Sequence, residues 1–169
     1  PSCPCHEAYR FCQADQEAIE VALETAVQSQ PEWEALGAGQ RASILRGAAG
    51  VMAANRADTI GAMLLDAGKN ITEADVEVSE AIDFANYYAK SMLAVGWDDG
   101  TVGRACGVVV VTPPWNFPFA IPAGGVLAAL AAGNSVILKP ARESVLVAWM
   151  LVQQLWEAGV PKTVLQFAP

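Results

Sequence analysis

The stretch that decides the fold is Gly107–Pro140, "GVVVVTPPWNFPFAIPAGGVLAALAAGNSVILKP". It begins with four consecutive valines, Val108–Val111. An unbroken β-branched run of this kind reads as a parallel strand buried on both faces. Four prolines then fall within Thr112–Gly125, at 113, 114, 118 and 122, around the pair Trp115–Asn116. "AGGVLAALAAG" follows as a charge-free helix, and "NSVILKP" returns to a buried strand. Gly124 and Gly125 sit inside the helical pattern, where missing Cβ atoms permit close packing.

The alternation continues outward. "SVLVAWMLVQQLWEAG" places Val145, Ala148, Val152 and Leu155 on one helical face, and "VPKTVLQFAP" supplies a third strand. Strand, helix, strand, helix, strand implies a parallel sheet with right-handed crossovers. The expected fold class is α/β, with N-terminal helices followed by a partial doubly wound parallel sheet (βαβαβ).

Upstream, the pattern is helical. Ile19, Ala22, Leu23, Ala26 and Val27 share one face, and Pro31 is expected to end that helix. Ile44, Leu45, Ala48, Val51 and Met52 repeat the spacing. "ADTIGAMLLDAG" is a third helix with Gly68 as its stop. Thr72, with Asp75 three residues on, is expected to open a long fourth helix through a capping box. Its apolar face is Val78, Ile82, Ala85, Ala89 and Leu93. "GWDDGTVG" reads as a linker. The expected organisation is a loose segment over 1–14, a helical part over 15–104, and a first βαβαβ unit over 105–169.

Composition narrows the function classes. Hydrophobic residues make up 53% of the 169 and charged residues 17%, apolar for a self-contained domain. The segment from Ala105 to Leu138 is charge-free and long enough to span a bilayer, but its prolines and paired glycines break any spanning helix. The N-terminus lacks the basic-then-apolar layout of a signal peptide. Net charge is −8 with no basic run, which argues against nucleic-acid binding. Cys3, Cys5 and Cys12 lie near the only histidine, His6, without the paired spacing of a structural zinc site, so no metal is expected. Cys106 opens the first strand and is expected in the core. Nothing resembles a disulfide framework, and a reducing cytoplasm fits. The sheet is half made at Pro169, so the chain is expected to be part of something longer.

Ligands in open α/β sheets bind beyond the carboxyl ends of the strands. Thr112–Asn116 and Lys139–Arg142 lie there, within reach of one bound molecule. Asn116 offers an uncharged N–H donor that can stabilise an oxyanion developing on a carbonyl. Pro113, Pro114 and Pro118 remove backbone freedom around it, and Trp115 is expected to anchor the loop by burial. On pattern alone, an ordinary turn asparagine bonding its own backbone is the commoner reading. Lys139 suits ribose hydroxyls or phosphate, although on position alone a solvated lysine closing a strand is the commoner reading. No Gly-x-Gly-x-x-Gly follows the first strand, and no nucleophile–base pair is present.

"PPWNFP" followed by "ALAAGNSVILKPA" resembles the aldehyde dehydrogenase superfamily. "PEWEALGAGQRASILR" is similar to its Trp-then-Arg region and "DAGK" to its Glu-x-Gly-Lys; "EAGVP" and "TVLQFAP" carry the likeness to the end. Within the superfamily, "EADVEVSEAIDFANYYAKSM" looks most like the glutamate-semialdehyde (1-pyrroline-5-carboxylate) dehydrogenases, and "GVVVVTPPWNFPFAIPAGG" also resembles the dehydrogenase part of bifunctional proline-utilisation proteins. The resemblance implies Asn116 as the oxyanion-hole donor. It implies Thr112, Pro113, Pro114 and Trp115 along a nicotinamide cofactor, and Lys139 on the adenosine ribose. Where the family usually has a ribose-binding glutamate, this chain has Arg142, which is compatible with NADP as well as NAD. FAD is implied only if a proline dehydrogenase domain is present elsewhere. The family's catalytic cysteine and general-base glutamate would lie beyond Pro169. The parent would be a homo-oligomer oxidising a small aldehyde, and this chain alone would be inactive. Another aldehyde as substrate, aromatic or aliphatic, or a non-catalytic nucleotide-binding or assembly module, are the alternatives.

Overall fold

The computed structural model describes residues 7–95 and 103–169. The linker expected at 96–103 lies almost wholly outside the described residues, as do Cys3, Cys5 and His6. Four helices come first: α1 (Gln16–Ala35), α2 (Gly37–Ala54), α3 (Arg56–Asp66) and α4 (Ile71–Ala94). Then β1 (Val108–Val111), α5 (Ala120–Ala131), β2 (Ser135–Leu138), α6 (Val145–Glu157) and β3 (Leu165–Phe167) alternate, with a single 3₁₀ turn, Arg142–Ser144, before α6.

The three strands are parallel in the order β1-β2-β3, with Val111 opposite Leu138 and Leu138 opposite Phe167. Side chains alternate across a strand, so β2 divides the interior. Val136 and Leu138 enter the main core with α5 and α6. Ile137 points the other way, into a small cluster with Ala26 of α1 and Ala168. Helices therefore cover both faces, as the doubly wound pattern predicts. β2 is buried throughout. β1 differs from expectation: it is an edge strand, and Val110 is more than half exposed. Cys106 is likewise exposed rather than core, because β1 begins two residues after it.

α1 presents Ala22 and Ala26 to the sheet, since small residues allow close approach to a pleated surface, while Ile19, Leu23 and Val27 are about half exposed. The predicted face is thus rotated. Nor does Pro31 end α1, which runs four residues further. The last turn is held by tertiary contacts. Trp33 is buried, and its Nε1 donates to the Leu130 carbonyl at 3.0 Å. Buried Arg41 donates to the carbonyls of Trp33, Glu34 and Ala131, satisfying the C-terminal ends of both α1 and α5. Burial pulls the Arg41 guanidinium below its ordinary pKa, and nearby Glu34 partly offsets that.

Gly68, at φ +68°, ends the α3 region in the left-handed conformation as expected. α4 is capped by Asn70, whose side chain accepts from Glu73 N at 2.9 Å. Thr72 is therefore inside the helix. Asp75 instead pairs with Arg56, whose hydrogen bond holds its carboxyl below the usual range. Both glycines of α5 allow close approach: a Cβ on Gly124 would meet the Phe84 ring of α4 at 3.2 Å, and one on Gly125 the Val111 side chain of β1 at 3.0 Å.

Candidate functional site

The carboxyl edge of the sheet carries both candidate segments. The Lys139 amide donates to the Val111 carbonyl at 3.0 Å, so the two segments leave adjacent strands side by side. Their side chains then diverge into three clefts. Thr112, Pro113 and Pro114 line one with Phe84 and Tyr88 of α4 and Ile121 of α5. Asn116 lines a second, about 390 Å³ in volume, with Lys69, Thr72, Val76 and Glu77. Lys139 and Arg142 line a third with Phe11, Gln13 and Pro169. Asn116 and Lys139 thus share an edge of the sheet but not a cleft.

Asn116 is exposed and lines the second cleft rather than the core. Trp115 is also half exposed, so it does not anchor the loop by burial. The anchor is Phe119, which is fully buried four residues further on. Behind it sits Glu77 of α4, only 2% exposed. Its Oε2 accepts from Phe119 N at 3.0 Å and Ala120 N at 3.1 Å. Its Oε1 pairs with Lys69 Nζ, which also lies 4.5 Å from the centre of the Phe117 ring. α5 opens without a side-chain cap from its own N-terminal residue, so this carboxylate satisfies its first amides. Sequence reasoning missed Glu77. The available signal was a carboxylate between Ala74 and Val78 on the apolar face of α4.

Lys139 and Arg142 are both exposed, and Lys139 Nζ donates to the Pro140 carbonyl at 3.0 Å. Two cations at the carboxyl ends of β2 and the following turn are a donor set that fits ribose hydroxyls and phosphate. Their cleft is about 80 Å³, well below the size of a typical small-molecule site. One wall is the segment before α1. Within its described part, residues 7–15, it is held at two points: Ala14 N donates to Pro169 O at 2.8 Å, and the Tyr9 hydroxyl donates to Asp66 at 2.5 Å. The other Asp66 oxygen accepts from Val147 N at 3.1 Å. Burial, then the bond to Asp66, pushes the Tyr9 phenol up to about 12.

No helix among the described residues is long and apolar enough to cross a membrane. The family model "Aldehyde dehydrogenase family" matches residues 3–169. The bifunctional protein PutA of Escherichia coli K12 is 44% identical over 153 residues, which cover 89% of this chain and 11% of that protein. A 1-pyrroline-5-carboxylate dehydrogenase of Staphylococcus haemolyticus is 36% identical over 170 residues, covering 95% of this chain and 33% of the relative. The crystal structure of proline utilization A from Bdellovibrio bacteriovorus superposes with a TM-score of 0.88 at 38% identity, over 93% of this chain and 18% of that one. The chain therefore spans about a tenth to a third of the length of the curated relatives it matches. With a family model matched over nearly its whole length and the same fold in a solved relative, this chain belongs to the aldehyde dehydrogenase family.

Proposed function

We propose that this chain supplies the oxyanion donor and part of the nucleotide site of an NAD(P)-dependent aldehyde dehydrogenase acting on glutamate semialdehyde. The observation that carries the reading is Asn116. It is exposed at a cleft, on a proline-stiffened loop held by strand pairing at one end and by Phe119 and Glu77 at the other. The substrate class comes from the relatives that are named 1-pyrroline-5-carboxylate dehydrogenase.

In this reading the aldehyde carbonyl enters the Asn116 cleft. When a nucleophile adds to the carbonyl carbon, negative charge moves onto its oxygen. Asn116 Nδ2 donates to that oxygen, and because the loop is already fixed, little reorganisation is needed as charge develops. Thr112, Pro113, Pro114 and Trp115 border the nicotinamide end of the cofactor. Lys139 would hold the adenosine ribose, and Arg142 would donate to a 2′-phosphate where one is present. A nicotinamide cofactor held by these residues would supply the hydride acceptor for the oxidation. FAD enters only through a separate proline dehydrogenase domain, such as the bifunctional relatives' name invites. The attacking thiol and the general base belong to further parts of the enzyme, in keeping with the third or less of the relatives' length covered here. A cytoplasmic setting suits this chemistry.

Asn116→Ala in the complete enzyme tests the reading. The expected result is a fall in kcat of about 10²–10³-fold, the usual cost of removing one oxyanion donor. An unchanged kcat/KM for aldehyde oxidation removes Asn116 from the reaction.

A further inference from the structure

We infer that Glu77 and Lys69 are positioning residues for Asn116: a buried ion pair on the α3–α4 side that fixes the downstream end of the catalytic loop. The inference rests on Asn116 being the oxyanion donor.

The loop from Thr112 to Pro118 carries no secondary structure beyond a few bends and a turn, and it spans the gap between β1 and α5. Upstream, β1 is fixed by pairing with β2. Downstream, Phe119 and Ala120 are fully buried, so their amides have no access to water. Buried amides need partners, and one left unmade carries its full desolvation penalty. Both donate to a single oxygen of Glu77, 42 and 43 residues earlier in the chain. A carboxylate there also sits at the positive end of the α5 dipole.

A buried carboxylate needs compensation of its own, and Lys69 supplies it through the other oxygen. Lys69 reaches past the carboxylate to the Phe117 ring, so one ammonium contacts both the anchor and the loop. Asn116 adjoins Phe117, and Pro118 then locks the backbone between Phe117 and the clamped Phe119. A shift of the clamp is therefore passed to Asn116 rather than absorbed. Asn116, Lys69 and Glu77 line the same cleft, which makes the pair a support for that side chain and not for the distant Lys139 site.

The test is a double-mutant cycle in the complete enzyme, with Glu77→Gln, Asn116→Ala and their combination, each checked for folding by thermal melting. Glu77→Gln is expected to lower kcat by on the order of tenfold to hundredfold, as loosening a positioned group does. The KM for the nucleotide should change by less than about twofold. Added to Asn116→Ala, it should cost nothing further, because residues acting through one group are non-additive. Full additivity, or an unchanged kcat for Glu77→Gln, overturns the inference while leaving Asn116 in place. An unchanged kcat for Asn116→Ala instead overturns the reading beneath it. If Glu77→Gln folds poorly, Lys69→Met/Glu77→Gln carries no unpaired buried charge and gives the same cycle. Hydrogen exchange at the Phe119 and Ala120 amides provides a readout independent of activity. It should accelerate by roughly tenfold or more when the acceptor is weakened, and unchanged exchange overturns the clamp.

Discussion

Two segments leave adjacent strands at the same edge of the sheet, yet they are held very differently. Thr112–Pro118 is tethered at both ends, with a buried aromatic and a buried ion pair behind it. Lys139–Arg142 has exposed cations, and its recorded side-chain contact is Lys139 with the neighbouring Pro140 carbonyl. The difference matches two tasks. A donor to developing charge gains only if it is already in place. A cation gripping a flexible phosphate or ribose can adjust as the ligand arrives. Stiffness is built where the chemistry is proposed and left out where binding is proposed.

The harshest way to break this contrast is Phe119→Ala. The ring is fully buried in the main core, and truncating such a residue costs about 3–5 kcal/mol. Urea unfolding should show that loss. A loss under about 1 kcal/mol would mean that the loop is not anchored there.

Arg142→Glu probes the opposite member. Arg142 is exposed and has no recorded side-chain partner among the described residues, so stability should change by less than about 0.5 kcal/mol. Nucleotide preference should change instead. Affinity for a 2′-phosphorylated nucleotide relative to its unphosphorylated form should fall by roughly tenfold, the worth of a charge-assisted hydrogen bond. If unfolding shifts and preference does not, the second segment is structural after all.

How far the sequence carried this contrast depends on what each feature rests on. The parallel sheet was legible because strand and helix periods are local, and β2 is buried just as "SVIL" advertises. The glycines in α5 were legible because only close packing explains them there. What failed depended on distant partners. Pro31 stays helical because Trp33 and Arg41 tie the last turn to α5. β1 has the composition of a central strand and stands at the edge of the three described strands, with Val110 exposed. Asn70 displaced Thr72 as the α4 cap, and the true capping sequence, Asn70 to Glu73, stood two residues upstream. At the candidate site, the loop and its asparagine were visible. The anchor was misassigned to Trp115, because the carboxylate that holds the loop comes from Glu77, 42 residues from Phe119.

The gentlest probe is pH, through the wall of the second cleft. Tyr9 is raised to about 12 by burial first and by its bond to Asp66 second, against an ordinary phenol value near 10. The protonated phenol is the form that donates, so the folded state holds that proton more tightly than the unfolded chain. Its contribution is fully present below pH of about 10 and is lost as pH rises from there through about 12. Tyr9→Phe removes the bond at every pH and should remove this part of the pH dependence. The tyrosinate absorbance of the native protein minus that of Tyr9→Phe should therefore rise near pH 12. A rise near pH 10 would show the phenol free in solution, leaving the Ala14–Pro169 bond to hold the segment against Lys139 and Arg142.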